Sequence, residues 1–332
     1  MAYAIDTRSP PPLNAPRFVP AWWLPNAHLQ TVYASLFAPA PHPAFRRERW
    51  ETPDGDFVDM DFIDGPADAP WVQLFHGLEG SSASPYARML MEHVRRRGWR
   101  GSVLNFRGCS GEMNRLPRAY HSGDSEEVDW VLRRLKARAG PAKLHAVGVS
   151  LGGNALAKWL GERGEDAPAV VERAAAVCAP VDLTAAGEAL GRGLGRAYTR
   201  HFLASLRPRA ITRLARHPGI YDGDAVRRSR TLREFDNLVT APLHGFRDTD
   251  DYWTRASAKP WLGRIRVPTL MLNARDDPFL PESALPTERE VSSAVKLEFP
   301  AWGGHVGFVT GPFPGRIDWL PRRLLHFLEH RE

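Results

Sequence analysis

Four short apolar runs alternate with three amphipathic segments between residues 71 and 180, and this alternation restricts the folds open to the chain. The runs WVQLFHG, GSVLNF, KLHAVGVS and AAAVCAP are nearly continuous in apolar residues, which is typical of strands buried on both faces of a sheet. The segments between them (86–98, 125–140 and 154–164) carry apolar residues at helical spacing. The alternation predicts a parallel sheet with right-handed crossovers and helices on both faces.

The pattern continues on both sides of this region. Residues 46–52 and 57–63 alternate apolar and polar side chains around the turn sequence PDGD, which predicts an antiparallel hairpin. Apolar runs at 268–274 and 295–300 predict two more strands, and the amphipathic segment 319–330 predicts a C-terminal helix. The chain is therefore expected to form an α/β fold with a mostly parallel sheet of about eight strands.

One long stretch interrupts the alternation and suggests how the chain is divided. Residues 183–260 contain arginine-rich helical segments and many aromatic residues but no clear strand. We interpret them as a helical, lid-like insertion over the carboxyl edge of the sheet, where open α/β sheets bind ligands. The core would then comprise 46–182 and 261–332. Residues 1–45 begin with a proline-rich stretch and are expected to form an N-terminal arm that packs on the core.

The composition narrows the class of protein. With 43% hydrophobic and 25% charged residues, the chain resembles an ordinary soluble globular protein. It has neither a secretory signal sequence nor an apolar run of about 18 residues, so no transmembrane span is predicted and a cytoplasmic location is expected. Its two cysteines, Cys109 and Cys178, are too few for a disulfide framework, and we expect both to be reduced thiols.

Arginine clusters at 95–100 and 227–230 contribute to a formal net charge of +6. They lie on predicted helices and lack a nucleic-acid motif or an aromatic platform, which favours a solvated basic face over nucleic-acid binding. Peripheral contact with anionic lipid is left open, and so is the oligomeric state.

A G-x-S-x-G motif lies between an apolar strand and a predicted helix, in the sequence Gly148-Val149-Ser150-Leu151-Gly152. This is the setting that a nucleophile elbow requires, because the tight turn strains the serine backbone and leaves no room for side chains two residues to either side. A glycine-rich turn that serves only close packing is the alternative. The setting favours Ser150 as a nucleophile.

A serine hydroxyl needs a base to remove its proton. The candidate base is His305, which lies in a glycine-rich loop between the last predicted strand and the C-terminal helix. A lone loop histidine is more often structural, but the serine motif favours the catalytic interpretation.

The imidazole in turn needs a carboxylate to hold it, and two acids follow the predicted strand 268–274. We favour Asp277, because Pro278 and Pro281 give it a rigid turn. Asp276 remains the alternative, with a role in shaping the loop if it is not the acid.

An acyl-transfer mechanism also needs donors to the oxyanion of the tetrahedral intermediate. Position alone predicts the backbone N–H groups of Leu151, next to the nucleophile, and of Leu78, in the loop after the strand WVQLFHG. The His76 side chain is expected to support this loop. The candidate substrate-binding residues are His76, Gly77, Phe202 and Phe246. No metal site is predicted, because His121 and Asp124 of the sequence YHSGD lack companion ligands at metal-binding spacing.

The apolar residues of the insertion have two interpretations. They either form a lid and an acyl pocket or only anchor the insertion on the sheet. The residues in question are Tyr198, Phe202, Leu203, Phe235, Phe246 and Trp253.

Short blocks spread over almost the whole chain resemble the YheT-like branch of the α/β-hydrolases, which is related to the eukaryotic ABHD1/ABHD3 group and to yeast medium-chain acyltransferase-esterases. The matching blocks are NAHLQT (26–31), HGLEGSS (76–82), NFRGCSG (105–111), YHSGD (120–124), GVSLGGN (148–154), EFDNLVTAPLHGF (234–246), ARDDPFLP (274–281) and GGHVGF (303–308). The resemblance implies the α/β-hydrolase fold, with Ser150, Asp277 and His305 as charge-relay residues. It also implies esterase or acylglycerol-lipase chemistry, with acyl transfer to alcohols in some members. For His28 of the first block we expect only a structural loop contact.

These observations predict a serine hydrolase without a cofactor or metal. Its substrates would be small-molecule carboxylic esters, either short- or medium-chain acyl esters or monoacylglycerols, cleaved through an acyl-enzyme. One alternative is an alcohol O-acyltransferase with the same triad. The other is a non-catalytic binding protein on a hydrolase scaffold, against which the intact triad argues.

Overall fold

A computed structural model of the protein describes residues 17–330. Its sheet has eight strands in the spatial order β1-β2-β4-β3-β5-β6-β7-β8. The first strand pairs antiparallel with the second, the second pairs antiparallel with β4, and all other neighbours are parallel. The strands are β1 (Arg46–Glu51), β2 (Phe57–Ile63), β3 (Trp71–Phe75), β4 (Arg100–Asn105), β5 (Leu144–Val149), β6 (Arg173–Val177), β7 (Thr269–Leu272) and β8 (Val295–Glu298). The predicted mostly parallel sheet of about eight strands is confirmed.

Helices follow the strands in the predicted order. They are α1 (Ala27–Leu36), α2 (Pro85–Arg96), α3 (Ser125–Ala139), α4 (Leu151–Arg163), α5 (Leu183–Leu190), α6 (Gly195–Arg216), α7 (Gly223–Arg228), α8 (Leu232–Phe235), α9 (Ala241–Leu243), α10 (Thr249–Ala256) and α11 (Trp319–Glu329). A π-helical turn, Asp236–Thr240, joins α8 to α9. Short 3₁₀ turns occupy Gly164–Ala169, Lys259–Arg264 and Glu282–Ala284.

The core lies on both faces of the sheet. Alternate residues of a strand point to opposite faces, so β3 directs Val72 and Leu74 to one apolar cluster and Trp71 and Phe75 to another. Helices α2 and α11 contribute to the first cluster, and α3 and α4 contribute to the second. Covering by helices on both sides explains why the central strands are almost entirely apolar.

Residues 183–260 contain helices α5 to α10 and no strand. This stretch follows β6 and leads through the 3₁₀ turn Lys259–Arg264 to β7. Part of it packs in a cluster of its own, formed by Leu203, Ala210, Val226, Phe235 and Val239. These helices lie on the side of the molecule where β5 and β6 end, since their side chains line a cavity with Ser150.

The described part of the N-terminal region packs on the core, while residues 1–16 of the predicted arm lie outside the described residues. Ala21, Leu24 and Ala34 form one apolar cluster with Val309 and Ile317, which lie near the C-terminus. Helix α1 thereby lies next to the loop that precedes α11.

We predict that buried histidines make folding stability depend on pH. Burial lowers the pKa values of His76, His93 and His145 from 6.5 to about 4, so the folded protein keeps these imidazoles neutral. The unfolded chain binds protons below pH 6.5 that the folded chain does not, so stability is present above pH 6.5 and is lost as the pH falls towards 4. Each group contributes at most on the order of 3 kcal/mol.

Urea denaturation of the wild type and His145→Phe at pH 7.5 and at pH 5 measures this effect. The His145 ring stacks on Trp99 with ring centroids 5.8 Å apart, so phenylalanine keeps the packing and removes the titrating group. The loss of unfolding free energy between the two pH values is expected to be smaller in the variant. Equal losses in both proteins would contradict the prediction.

Candidate active site

Ser150 occupies a strained turn between β5 and α4, with φ 52° and ψ −120°. A Cβ atom added to Gly148 would lie 2.4 Å from the carbonyl oxygen of Gly152. One added to Gly152 would lie 2.4 Å from the carbonyl oxygen of Phe75, on the neighbouring strand. The two glycines of the motif are therefore needed sterically, as a nucleophile elbow requires.

The Ser150 side chain lies at one end of a hydrogen-bonded chain. Its Oγ is 2.9 Å from Nε2 of His305, and Nδ1 of His305 is 2.8 Å from Oδ2 of Asp277. Because an ionised carboxylate only accepts hydrogen bonds, Nδ1–H donates to Asp277 and Nε2 accepts from the serine hydroxyl. The backbone N–H of Phe279 donates to Oδ1 of Asp277 at 2.8 Å and holds the buried carboxylate in place.

Asp276 has a different environment. Its Oδ1 accepts a hydrogen bond from the backbone N–H of Gly304 at 2.9 Å, so it ties the loop after β7 to the loop that carries His305. Burial, together with the charge of Asp277, raises the pKa of this carboxyl group. Arg275 pairs with Glu282 at 2.7 Å rather than with Asp276. Of the two candidate acids, the structure thus brings Asp277 to the imidazole.

The loop of His305 rests on α1. The Thr31 hydroxyl accepts a hydrogen bond from the backbone N–H of His305 at 2.9 Å and donates one to the carbonyl of Ala27 at 2.7 Å. Gln30 accepts a hydrogen bond from the backbone N–H of Val309 at 2.8 Å. A Cβ atom on Gly304 would lie 2.4 Å from the Ala27 carbonyl oxygen, so the loop and the helix approach each other too closely for a side chain.

The block NAHLQT thus supports the histidine loop, a role that the sequence analysis missed. The sequence offers only one sign of this role, which is that two polar residues, Gln30 and Thr31, are adjacent in a short helical segment. The structure shows that both are buried. His28 of the same block lies 2.9 Å from the Tyr198 hydroxyl of α6. The Tyr198 ring contacts Phe279 edge-on, and Phe279 stacks on His305 with ring centroids 4.0 Å apart.

The loop after β3 lies directly against Ser150. A Cβ atom on Gly77 would be 3.1 Å from Cβ of Ser150. The N–H groups of Gly77 and Glu79 donate to the hydroxyls of Tyr86 and Tyr120.

Both predicted oxyanion donors have a free N–H group. Within residues 17–330, the N–H of Leu78, between Gly77 and Glu79, and that of Leu151, in the first turn of α4, have no acceptor. The N-terminal end of α4 also favours negative charge at this point.

His76 supports this loop and does not face a cavity. Its Nδ1–H donates to the Gly77 carbonyl at 2.7 Å, and its Nε2 accepts from the N–H of Phe106 at 3.1 Å. Burial lowers the pKa of His76 to about 4, so the ring stays neutral and keeps both bonds. A substrate-binding role for the His76 side chain does not agree with these contacts, because both ring nitrogens are used.

Two apolar cavities meet at Ser150. One, of about 140 Å³, extends under the helices of residues 183–260, and the other, of about 430 Å³, lies between α1, α6 and the loop after β3. Phe202 borders both cavities, and Gly77 borders the larger one. Phe246 borders neither, since it packs against His121 and Tyr252 beside a separate polar cleft. The structure therefore separates Phe246 from the other candidate substrate-binding residues.

Backbone strain is concentrated around this site. Within residues 17–330, the non-glycine residues with positive φ are Glu79, Ser150, Cys178, Val306 and Phe308. They lie in the loops after β3, β5 and β6 and in the His305 loop. Strained residues of this kind persist where the surrounding structure holds them, which is common at functional sites.

Cys178 lies beside Asp277 and His305, and these three side chains are close enough together to be considered as a metal site. Its Sγ, a carboxylate oxygen of Asp277 and a ring nitrogen of His305 lie within 4.8 Å of one another. The Cys178 sulfur accepts a hydrogen bond from the Val306 N–H at 3.3 Å and lies 3.9 Å from the Gly304 carbonyl oxygen, to which the thiol donates. Asp277 and His305 are hydrogen-bonded to each other. This group therefore suits a hydrogen-bonded relay better than a metal site. Both Cys178 and Cys109 are free thiols, as predicted.

The eight-stranded sheet and the strained serine turn, with histidine and acid in the order Ser…Asp…His, are features of the α/β-hydrolase class. The family model described as the alpha/beta hydrolase fold matches residues 70–312. The chain is 42% identical over 320 residues to YheT of Escherichia coli strain K12, which covers 95% of this chain and 94% of that protein. The chain belongs to the α/β-hydrolase family and to its YheT-like branch.

Other relatives and a solved structure agree with this assignment. Phospholipase ABHD3 of Mus musculus is 30% identical over 96% of this chain and 79% of its own. Monoacylglycerol lipase of Saccharomyces cerevisiae is 28% identical over 88% of this chain and 66% of its own. The Pyrococcus furiosus esterase Pf2001 superposes with a TM-score of 0.55 at 15% identity, over 88% of this chain and 97% of that one, which supports the fold. No helix within residues 17–330 has the length and hydrophobicity that crossing a bilayer requires.

Substitution of the two acids tests which carboxylate acts on His305. We expect Asp277→Asn to slow labelling of Ser150 by a fluorophosphonate by about 10³-fold or more, because the amide no longer stabilises the imidazolium. Asp276→Asn, which weakens one loop hydrogen bond, is expected to slow it by about tenfold at most. Labelling rates that fall more in the Asp276 variant would reverse the assignment.

The support from α1 predicts a second effect on rate. Thr31→Val leaves the His305 amide without its acceptor, at a cost of about 1–3 kcal/mol. We expect kcat for p-nitrophenyl acetate to fall about tenfold or more, with a smaller change in KM, because the main effect is displacement of the imidazole, although Thr31 also borders the larger cavity. Thr31→Ser keeps the hydroxyl and is expected to restore most of the rate. Equal kcat values for the valine and serine variants would exclude this role.

Proposed function

We propose that the protein is a serine hydrolase that cleaves carboxylic esters through an acyl-enzyme. The observation that carries this proposal is the hydrogen-bonded chain Ser150–His305–Asp277 at the junction of two apolar cavities. Relatives named phospholipase and monoacylglycerol lipase support esters of fatty acids as the substrate class. The cytoplasmic location expected from the sequence remains a prediction.

In the first half-reaction, Nε2 of His305 accepts the Ser150 hydroxyl proton as Oγ attacks the ester carbonyl. The negative charge that develops on the carbonyl oxygen is stabilised by the N–H groups of Leu78 and Leu151. Asp277 keeps Nδ1 protonated and stabilises the imidazolium without taking its proton. The imidazolium then protonates the leaving alcohol, and the acyl group stays on Ser150.

In the second half-reaction, a water molecule gives its proton to His305 and attacks the acyl-enzyme. The same oxyanion donors act again, and Ser150 leaves with the proton from His305. Two cavities at one serine provide separate space for the acyl group and the alcohol. They also favour the second candidate function, transfer of the acyl group to an alcohol that occupies the site of the leaving alcohol.

Labelling and product analysis test this proposal. Wild-type protein is expected to react with a fluorophosphonate probe and Ser150→Ala to be unreactive, with thermal unfolding of both proteins as the control for folding. Hydrolysis of p-nitrophenyl octanoate with added ethanol or monoacylglycerol separates the two candidate functions, because a transferase would form a new ester in place of the free acid. A folded wild-type protein that neither labels nor hydrolyses esters would favour the binding-protein alternative.

The apolar cavities predict a preference for medium acyl chains. We expect kcat/KM for p-nitrophenyl esters to rise from acetate to octanoate, because a longer chain buries more apolar surface beside residues such as Phe202 and Phe279. It is expected to rise no further at palmitate, because the part of the chain that extends beyond the cavity buries no additional apolar surface. A steady decrease from acetate onward would rule out this preference.

A further inference from the structure

One face of α6 runs along the smaller of the two cavities. Phe202, Leu206, Arg209 and Arg213 all line it and are spaced by four, three and four residues, which puts them on one side of a helix. Phe202 lies at the catalytic end, since its ring contacts Phe279, which stacks on His305. Arg213 lies eleven residues further on, about 16 Å along the helix axis at the usual rise per residue.

Arg213 is a buried cation with no anion beside it. Only 7% of the residue is exposed, and its Nε has no hydrogen-bond acceptor. Within residues 17–330 no carboxylate lies within ion-pair distance of it. Tyr221, whose hydroxyl forms a side-chain hydrogen bond with Arg213, and His244 are titratable groups close to it; burial raises the pKa of the first and lowers that of the second to about 3. Both are therefore neutral at physiological pH.

The other arginines of this cavity are compensated. Arg107 is bonded to Asp54, Asp56 and Glu127. Arg209 lies 3.3 Å from Glu79.

The remaining acid of the cavity, Asp236, does not compensate Arg213 either. It accepts hydrogen bonds from the Thr240 hydroxyl and the Trp253 ring N–H, and burial raises its pKa to about 6. A cation close to Asp236 would oppose that rise in pKa. Burying a charge without a partner of opposite charge costs free energy. Of the three arginines that line this cavity, Arg213 is the one without a carboxylate partner within residues 17–330.

We propose that Arg213 binds an anionic group of the substrate at the end of the cavity remote from Ser150. A guanidinium matches a carboxylate or a phosphate through two parallel hydrogen bonds, and such a ligand would supply the missing negative charge. The preferred ester then carries an anion at one end and the scissile bond at the other, with an apolar chain between them. This inference rests on the proposed ester hydrolysis and specifies its substrate class.

Two pairs of substrates test the proposal and locate the anion. Mono-p-nitrophenyl esters of α,ω-dicarboxylic acids place a carboxylate on the acyl side, and p-nitrophenyl esters of fatty acids of equal length are their neutral partners. The second pair, long-chain ω-acetoxyalkyl phosphates and alkyl acetates of equal length, differs by a phosphate on the alcohol side. In the wild type, kcat/KM is expected to be higher for the anionic member of one pair.

Arg213→Gln is expected to lower the ratio of kcat/KM for that anionic ester to its neutral partner by about 10- to 100-fold, and Arg213→Lys by less. Arg216→Gln is the matched control, because Arg216 lies on the same helix, is exposed and bonds backbone carbonyls. In that variant the ratio is expected to equal the wild-type ratio.

A second measurement needs no variant and covers the case in which Arg213→Gln does not fold. A long-chain α,ω-dicarboxylate is expected to inhibit hydrolysis of a neutral ester by the wild type at least tenfold more strongly than its diamide, which carries no negative charge. Wild-type protein that prefers neither anionic ester and is inhibited equally by acid and amide would overturn the proposal. Wild-type protein inactive on all four esters would instead refute the proposed ester hydrolysis.

Discussion

The strained turn at Ser150 is the constraint on which the rest of the site depends. A positive φ at a non-glycine residue is held only by close packing on both sides, and here the packing leaves no room for a Cβ atom at Gly148 or Gly152. The same closeness brings the carbonyl of His76 within 3.1 Å of the Gly152 N–H, so the loop after β3 lies against the serine. The nucleophile and the proposed Leu78 donor are thus brought together by one contact between the segments that follow the neighbouring parallel strands β3 and β5.

The imidazole is held by elements from distant parts of the chain. Asp277 fixes its ring, Asp276 fixes the backbone of its loop, and Thr31 holds its own backbone N–H. Phe279 covers one face of the ring and connects it, through Tyr198, to α6. Since α6 also carries Arg213, the helix that borders the triad extends to the far end of the smaller cavity. In the proposed substrate complex, the same helix would therefore contact both the apolar chain and the anionic end of the ester.

Much of the fold was predictable because its signals are local. Each central strand is a short apolar run, and each covering helix has apolar residues three to four positions apart. All eight strands and the helices that cover them therefore agree with the sequence pattern. The serine motif was identifiable for the same reason, since five consecutive residues define the turn. The choice between Asp276 and Asp277 has no such local signal, because adjacent residues in a loop point in different directions that no periodicity specifies.

Other features depend on contacts between residues far apart in the chain. Thr31 and His305 are separated by 274 positions, and nothing near either residue indicates that they meet. Phe202 and Phe246 are equivalent as aromatic residues of one insertion, yet only Phe202 borders the cavities. Arg213 is one arginine among many in the sequence, and its lack of a carboxylate partner is a property of the packed surroundings. The order of chemical groups along the chain therefore specified the sheet and the serine turn, whereas tertiary packing decided which side chains face the substrate and which charges are left unpaired, because both depend on distances in space.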